Sequence, residues 1–357
     1  MLPKLRAAAC HVSPVFLSAR STTDKCISLI HQASRASADL VVFPEPYIPA
    51  FPIWNSLFAP TENHHFFQRM ANESIYADGE EIRVIRKAAK QTGTIISIGI
   101  SEKVRYSTAT LFNSNLIIGP GGEVLVHHRK LMPTFFEKLT WSPGDGQGLR
   151  VAQTKHGKIG ALICGENTNP LARYALMAMG EQVHISSWPA IWPTRKTKPS
   201  NSLKGHETTQ NGNYDNVYAN RIRAAAHCFE TKCFGMLCAA HLGSDTINAI
   251  TNMSGYSRCA DNLHSSSRAV TMFLGPTGAT HHAFTVDSES GKIEPKETLQ
   301  NEEGILYADL DLADCIEGKQ YHDVVGGYQR LDVFDLKVDR RRRDPITFVD
   351  REDPKHC

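Results

Sequence analysis

The chain has 357 residues, 41% of them hydrophobic and 21% charged, with a formal net charge of +2. That is enough apolar content for the core of a large α/β unit, and the charge balance makes no general electrostatic case for nucleic acid or an acidic membrane. No apolar stretch reaches membrane-span length and no secretory h-region opens the chain, so nine dispersed cysteines read as reduced thiols in the cytosol.

In chain order, Leu5 to Val12 reads as a first buried strand. Asp24 to Ser37 carries apolar residues at helical spacing, with Thr22 or Thr23 as the expected N-cap. Asp39 to Phe43 is a second buried strand. Pro44 and Pro46 cannot donate to a ladder, so it must stop there and present Glu45 at its carboxyl end. The aromatic stretch from Tyr47 to Phe67 reads equally as a substrate-side loop or as core around a long connection.

Glu80 to Gln91 is an amphipathic helix closed by Gly93, and Thr94 to Ser101 the next strand. Leu111 to Ile118 and Glu123 to His128 flank Gly119-Pro-Gly-Gly, a hairpin signal, which leaves Lys130 just beyond a strand. The run Ile159 to Ile163 predicts a strand buried on both faces, and Pro170 suits the first turn of a helix. Cys164 therefore falls at a strand-to-helix turn, where it is either a nucleophile or a packed thiol.

A helix follows to Met179, then a strand from Gln182 to Trp188. Residues 189 to 214 form a polar, Pro-containing stretch read as an exposed excursion. Asn216 to Lys232 predicts a helix, and Cys233 to Ala240, Arg268 to Leu274 and Gly304 to Leu310 predict strands. Beyond Ile316 alternation fades into a tail, whose run Arg340 to Arg343 reads as a solvated charge cluster. Helices alternating with strands, plus the hairpin, argue for α/β architecture with sheets that are not purely parallel.

Glu45, Lys130 and Cys164 thus stand at strand ends. A carboxylate lifted toward neutrality by burial can take a thiol proton, and a lysine can stabilise an anionic intermediate. Spacing alone does not bring the three together. Phe43-Pro-Glu45, His128-Arg-Lys130-Leu-Met-Pro-Thr and Leu162-Ile-Cys164-Gly-Glu-Asn-Thr-Asn-Pro, in that order, resemble the three signature motifs of the nitrilase superfamily. Glu137 to Gly148 resembles the segment that carries the family's second glutamate.

The resemblance implies an α-β-β-α sandwich with mixed sheets and a catalytic set of Glu45, Lys130, Glu137 and Cys164 that needs no metal or organic cofactor. In it Glu45 activates Cys164, which attacks a nitrile carbon to give a thioimidate. Lys130 and the backbone N–H of Gly165 stabilise negative charge, Glu137 positions its neighbours, and a thioester is hydrolysed to a carboxylic acid and ammonia. The extended motif resembles the true nitrilase branch, with a small nitrile as substrate. Amidase, or cyanide or nitrile hydratase, chemistry is the alternative, and a non-catalytic self-assembling scaffold the remote one. Many relatives have Trp after the nucleophile; Gly165 here implies extra room beside it.

Gly165, Glu166 and Trp188 are the expected substrate-binding positions, Glu166 mainly as site architecture. The expected layout is a hydrolase domain over 1–315, then a tail over 316–357 docking on a neighbouring subunit of a homo-oligomer. That oligomer would be built from dimers, extending to spirals. The metal-centre rival, Cys228, Cys233 and Cys238 near His227 and His241, lacks ligand spacing and reads as buried thiols.

Overall fold

The structure, a computed structural model, describes residues 2–192, 215–255, 258–342 and 345–346. Most of the expected polar excursion, 193–214, lies outside them, as do Arg343 and Cys357.

The strands are β1 (Lys4–His11), β2 (Leu40–Val42), β3 (Ile95–Lys103), β4 (Leu111–Ile118), β5 (Val124–Arg129), β6 (Ala152–Thr154), β7 (Gly157–Ile163), β8 (Val183–Trp188), β9 (Phe234–Ala239), β10 (Thr271–Leu274), β11 (Phe284–Val286), β12 (Ile293–Pro295), β13 (Thr298–Leu299) and β14 (Gly304–Asp311). They form an eight-stranded sheet, β12-β11-β14-β1-β2-β3-β4-β5, and a six-stranded sheet, β13-β10-β9-β8-β7-β6. In each, three parallel strands sit at the centre, β1-β2-β3 and β7-β8-β9, with antiparallel neighbours outside them.

The two-residue period of a strand sorts its side chains between faces. On β1, Ala7 and Ala9 join Ile159, Ile185 and Met236 in the layer between the sheets. Ala8 and Cys10 point the other way, into a cluster with Ile30 of α1 (Ala19–Arg35) and Ile82 and Ile85 of α3 (Glu80–Thr92). Helix α2 (His64–Glu73) lies between those two in sequence, and α4 (Pro170–Met177) comes between β7 and β8. On the far side, Ala224 and Cys228 of α5 (Asn216–Thr231) pack on Leu237 and Leu274. The layers are helix, sheet, sheet, helix, as expected.

Three local expectations change. The first helix begins at Ala19, so Thr22 and Thr23 are buried inside it and not caps. Its first N–H is satisfied by Glu73 Oε2 at 2.8 Å, a partner 54 positions along the chain that local spacing does not reveal. The aromatic stretch is core: Trp54 stacks on Phe66 with centroids 5.2 Å apart, and Phe51 meets Trp141 edge-on. Finally, α6 (Ser244–Ser254) and α7 (Arg258–Ser265) occupy a region where the sequence predicts no element.

The end of the chain opens with α8 (Asp314–Tyr321), and the described residues after it hold no regular element. It leaves Tyr328, Leu331, Val333 and Phe334 exposed. Arg342 returns to its own chain, donating to Asp145 Oδ2 at 2.9 Å and to the backbone oxygen of His127.

Candidate active site

Parallel strands end with their carbonyl edges toward loops, and the site is built there. Glu45 follows β2 and Cys164 follows β7, in different sheets, while Lys130 follows β5. The Pro44-Glu45-Pro46 turn crosses β3 so closely that a Cβ on Gly99 would lie 2.5 Å from the Pro44 oxygen. Only glycine leaves that passage open.

Lys130 Nζ donates to Glu45 Oε1 at 2.7 Å and to Glu137 Oε2 at 2.7 Å. Asn113, on β4, adds a 2.6 Å donor to the same Glu45 oxygen. Glu137 sits in a tight turn, Phe135–Leu139, where its Oε2 also accepts from the Thr134 N–H at 2.9 Å. Carboxylate oxygens of Glu45 and Glu137 and the Cys164 sulfur all lie within 4.8 Å of one another. Glu45 and Lys130 are each only 1% exposed, so their charges interact in a low-dielectric setting. Glu45 Oε2 and Glu137 Oε1 find no partner among the described residues. Each is an acceptor held ready for a proton or a substrate N–H.

Burial lifts the Glu45 carboxyl, the Lys130 ammonium pulls it back, and the balance is about 7. Burial and then the Glu45 carboxylate push the Cys164 thiol well above its usual value, with Lys130 opposing them. Cys164 therefore rests as a thiol, with a carboxyl poised near neutrality within reach of its proton. Lys130 moves well upward: burial disfavours its charge, but Cys164 and the two carboxylates outweigh that.

Cys164 takes φ of 49°, in the left-handed region, which turns the chain sharply at the strand end. Two side chains hold that turn. Asn167 Nδ2 donates to the Cys164 oxygen at 3.0 Å and the Leu162 oxygen at 3.2 Å. Glu166 accepts from the Ile163 N–H at 2.9 Å, the Leu131 N–H, and His128 Nε2 at 2.9 Å. Burial raises the Glu166 carboxyl, but the His128 contact and those N–H groups leave it below its usual range. Glu166 thus ties the Lys130 turn of one sheet to the Cys164 turn of the other. It does not line the cavity beside Cys164 and serves instead as a clamp, the architectural place expected of it.

Gly165 and Trp188 do line a cavity of about 210 Å³ beside Cys164, together with Thr134, Trp192 and residues of α5. A Cβ at Gly165 would meet Thr134 Oγ1 at 2.6 Å, so the space there is claimed by Thr134 as well as left open. A smaller cavity of about 30 Å³ touches Glu45, Phe51 and Ile53.

Behind the Cys164 turn lies a second buried cluster that sequence reading passes over. Glu181 Oε1 meets His184 Nδ1 at 2.8 Å, and its Oε2 meets His227 Nε2 at 2.7 Å. The two rings stack with centroids 3.7 Å apart. His184 Nε2 reaches Asn167 Oδ1 at 2.8 Å, which links the cluster to the Cys164 turn. Burial favours a neutral Glu181, but the two histidines win and hold its carboxyl near 2. Burial and the adjacent His184 push His227 down to about 4. Cys233 comes within 4.8 Å of Glu181 and His227, a three-ligand set of which the metal-centre rival named two members. Both Glu181 oxygens in it are already taken by histidines. Of the other rival residues, Cys228 and Cys238 are packed in separate apolar clusters.

The family model for carbon-nitrogen hydrolases matches residues 6–320. The chain is 34% identical over 345 residues to a bromoxynil-specific nitrilase of Klebsiella pneumoniae subsp. ozaenae, covering 96% of this chain and 88% of that one. It is 31% identical to a cyanide hydratase of Botryotinia fuckeliana, covering 98% of this chain and 87% of the other. Its fold superimposes on the crystal structure of a carbon-nitrogen hydrolase from Helicobacter pylori with a TM-score of 0.65 at 17% identity, covering 92% and 97% of the two chains.

Proposed function

The chain belongs to the carbon-nitrogen hydrolase family, and we propose that it is a nitrilase using Cys164 as nucleophile. One observation carries the assignment of residues. Lys130 bridges two buried carboxylates, each keeping an unpartnered oxygen within reach of a thiol, on the edge of a cavity.

In this reading Glu45 takes the Cys164 proton as sulfur attacks the nitrile carbon, and that proton passes to the nitrile nitrogen, giving a thioimidate. Lys130 and the Gly165 N–H offset negative charge as it develops. Glu45 then deprotonates a water that adds to the thioimidate carbon. Expulsion of ammonia leaves a thioester, and a second water gives the acid and restores the thiol. If sulfur leaves from the tetrahedral intermediate in place of ammonia, the product is an amide. The cyanide hydratase relative makes that branch the second reading.

A panel of small nitriles, with ammonia, acid and amide quantified beside Cys164→Ala, tests this. Acid and equimolar ammonia from the wild type alone are expected. Turnover retained in the variant overturns the mechanism, and amide as sole product selects the second reading. Activity on matched amides but not nitriles would make the enzyme an amidase.

We further propose a homo-oligomer, dimeric at its base, in the cytosol, with residues 316–357 packing on a neighbouring copy. Exposed Tyr218, Ile222 and Phe229 on α5 and the apolar tail supply surface of the kind subunit contacts bury. No described helix is long and apolar enough to cross a membrane. A monomer by light scattering at micromolar concentration would refute the assembly.

A further inference from the structure

The cavity beside Cys164 has two unlike walls. One is aromatic, from Trp188 and Trp192; the other is polar and includes Asn216 and Asn220 of α5. A spacing of four residues puts both asparagines on one helix face, with Cβ atoms about 5–6 Å apart. At about 210 Å³ the cavity takes a short substrate.

Both asparagines are buried, at 1% and 4% exposure, and each has half of its amide committed. Asn216 Nδ2 donates to the Ser267 oxygen at 2.7 Å, and Asn220 Oδ1 accepts from an Nη of Arg223 at 3.1 Å. Those partners fix which way round the amides stand, because a carbonyl can only accept and a guanidinium can only donate. Arg223 is itself spent within the protein. Its Nε donates to the Ala219 oxygen at 2.8 Å and its guanidinium lies 4.6 Å over the Trp188 ring, so it holds Asn220 in place.

Left over are one acceptor, Asn216 Oδ1, and one donor, Asn220 Nδ2. Neither meets a partner among the described residues, and neither is sealed off; the open space their side chains border is the cavity. An alkyl chain pressed against them would strand both groups, which costs more than the bonds themselves gain. A carboxylate would set its oxygens against Asn216 Oδ1. A hydroxyl donates to the one and accepts from the other.

We infer that Asn216 and Asn220 form a specificity subsite for a neutral hydroxyl borne by the nitrile, at the end of a short apolar body. That body lies along Trp188 and Trp192, the hydroxyl bridges the two asparagines, and the cyano carbon meets Cys164. This rests on the nitrilase reading and adds the substrate class.

The test uses the full-length enzyme with short ω-hydroxyalkanenitriles. Each is paired with the nitrile carrying a methyl in place of the hydroxyl, and with its methyl ether, which accepts but cannot donate. Wild type is expected to favour the alcohol over the alkyl nitrile in kcat/KM by about tenfold to a hundredfold, the span of two neutral hydrogen bonds, mainly through KM. The ether should fall between them. Asn220→Leu should cost the alcohol about tenfold more than the alkyl nitrile. Asn220→Asp keeps an oxygen toward Arg223 and turns the free donor into an acceptor. It should cost the ether more than the alcohol, and it serves if the Leu variant is insoluble.

Alkyl nitriles hydrolysed as fast as the alcohols by the wild type, ethers handled as well as alcohols, or equal losses on all three in the variants overturn the subsite and leave the nitrilase reading standing. No ammonia from these or any other nitrile overturns both.

Discussion

Two buried carboxylates, Glu45 beyond the end of β2 and Glu181 before the start of β8, anchor clusters that share more than they differ. Glu45 and Glu181 are each 1% exposed, each meets two side-chain donors, and each lies in a set of residues that could bind a metal. The difference is what their oxygens do. Glu181 spends both on histidines and is sealed, whereas Glu45 and Glu137 each keep one oxygen without a partner and stand next to a thiol that lines a cavity. Burial of charge therefore does not separate the two clusters; a carboxylate oxygen left open beside a cavity does. The cysteines teach the same lesson, since all eight described ones are buried and unpaired, Cys164 included.

The strongest way to break this contrast is to remove the reactive atom. Cys164→Ala should cut nitrile turnover by about 10⁴-fold or more while thermal denaturation hardly changes. A large drop in melting temperature with residual activity would place Cys164 with the packed thiols.

Glu181→Ala should do the converse. It leaves two stacked, buried imidazoles without their acceptor and should cost about 1–3 kcal/mol for each donor so stranded, read by denaturant unfolding. Turnover per folded molecule should fall far less than for Cys164→Ala. Loss of turnover equal to that of the nucleophile variant would make the two clusters one catalytic unit.

Acidity sharpens the contrast further. The Glu45 carboxyl is protonated below about 7 and ionised above it, and only the ionised form can take the thiol proton. So kcat/KM should rise roughly tenfold per pH unit up to about 7 and then level off. A profile flat from acid to neutral pH would remove Glu45 as the base.

The smallest effect is expected at Gly165→Ala. Its new methyl must displace Thr134, whose N–H helps hold Glu137. A severalfold loss in kcat with stability nearly unchanged should result, read by steady-state kinetics. An unchanged kcat would mean that Thr134 moves without carrying Glu137.

Much of this was legible along the chain. Pro44 and Pro46 ended a strand and presented Glu45 at its carboxyl end, the apolar run ended at Cys164, and Gly93 stopped its helix in the left-handed conformation. Glu45, Lys130, Glu137 and Cys164 do meet. Less visible were Asn113, which looks like any polar strand residue, and the Glu166 clamp, which depends on His128 in the other sheet.

What the sequence by itself determined is therefore local: where strands and helices run, which faces are apolar, and which ionisable groups stand at strand ends. These follow from periodicity, proline and glycine, whose effects act within a few residues. Only the tertiary structure decided which carboxylates keep a free oxygen, and that Glu166 clamps two turns and does not line the cavity. The physical reason is that hydrogen-bond satisfaction, burial and electrostatic shift belong to neighbours in space. Here the neighbours of Glu45 lie 68 and 85 positions away along the chain.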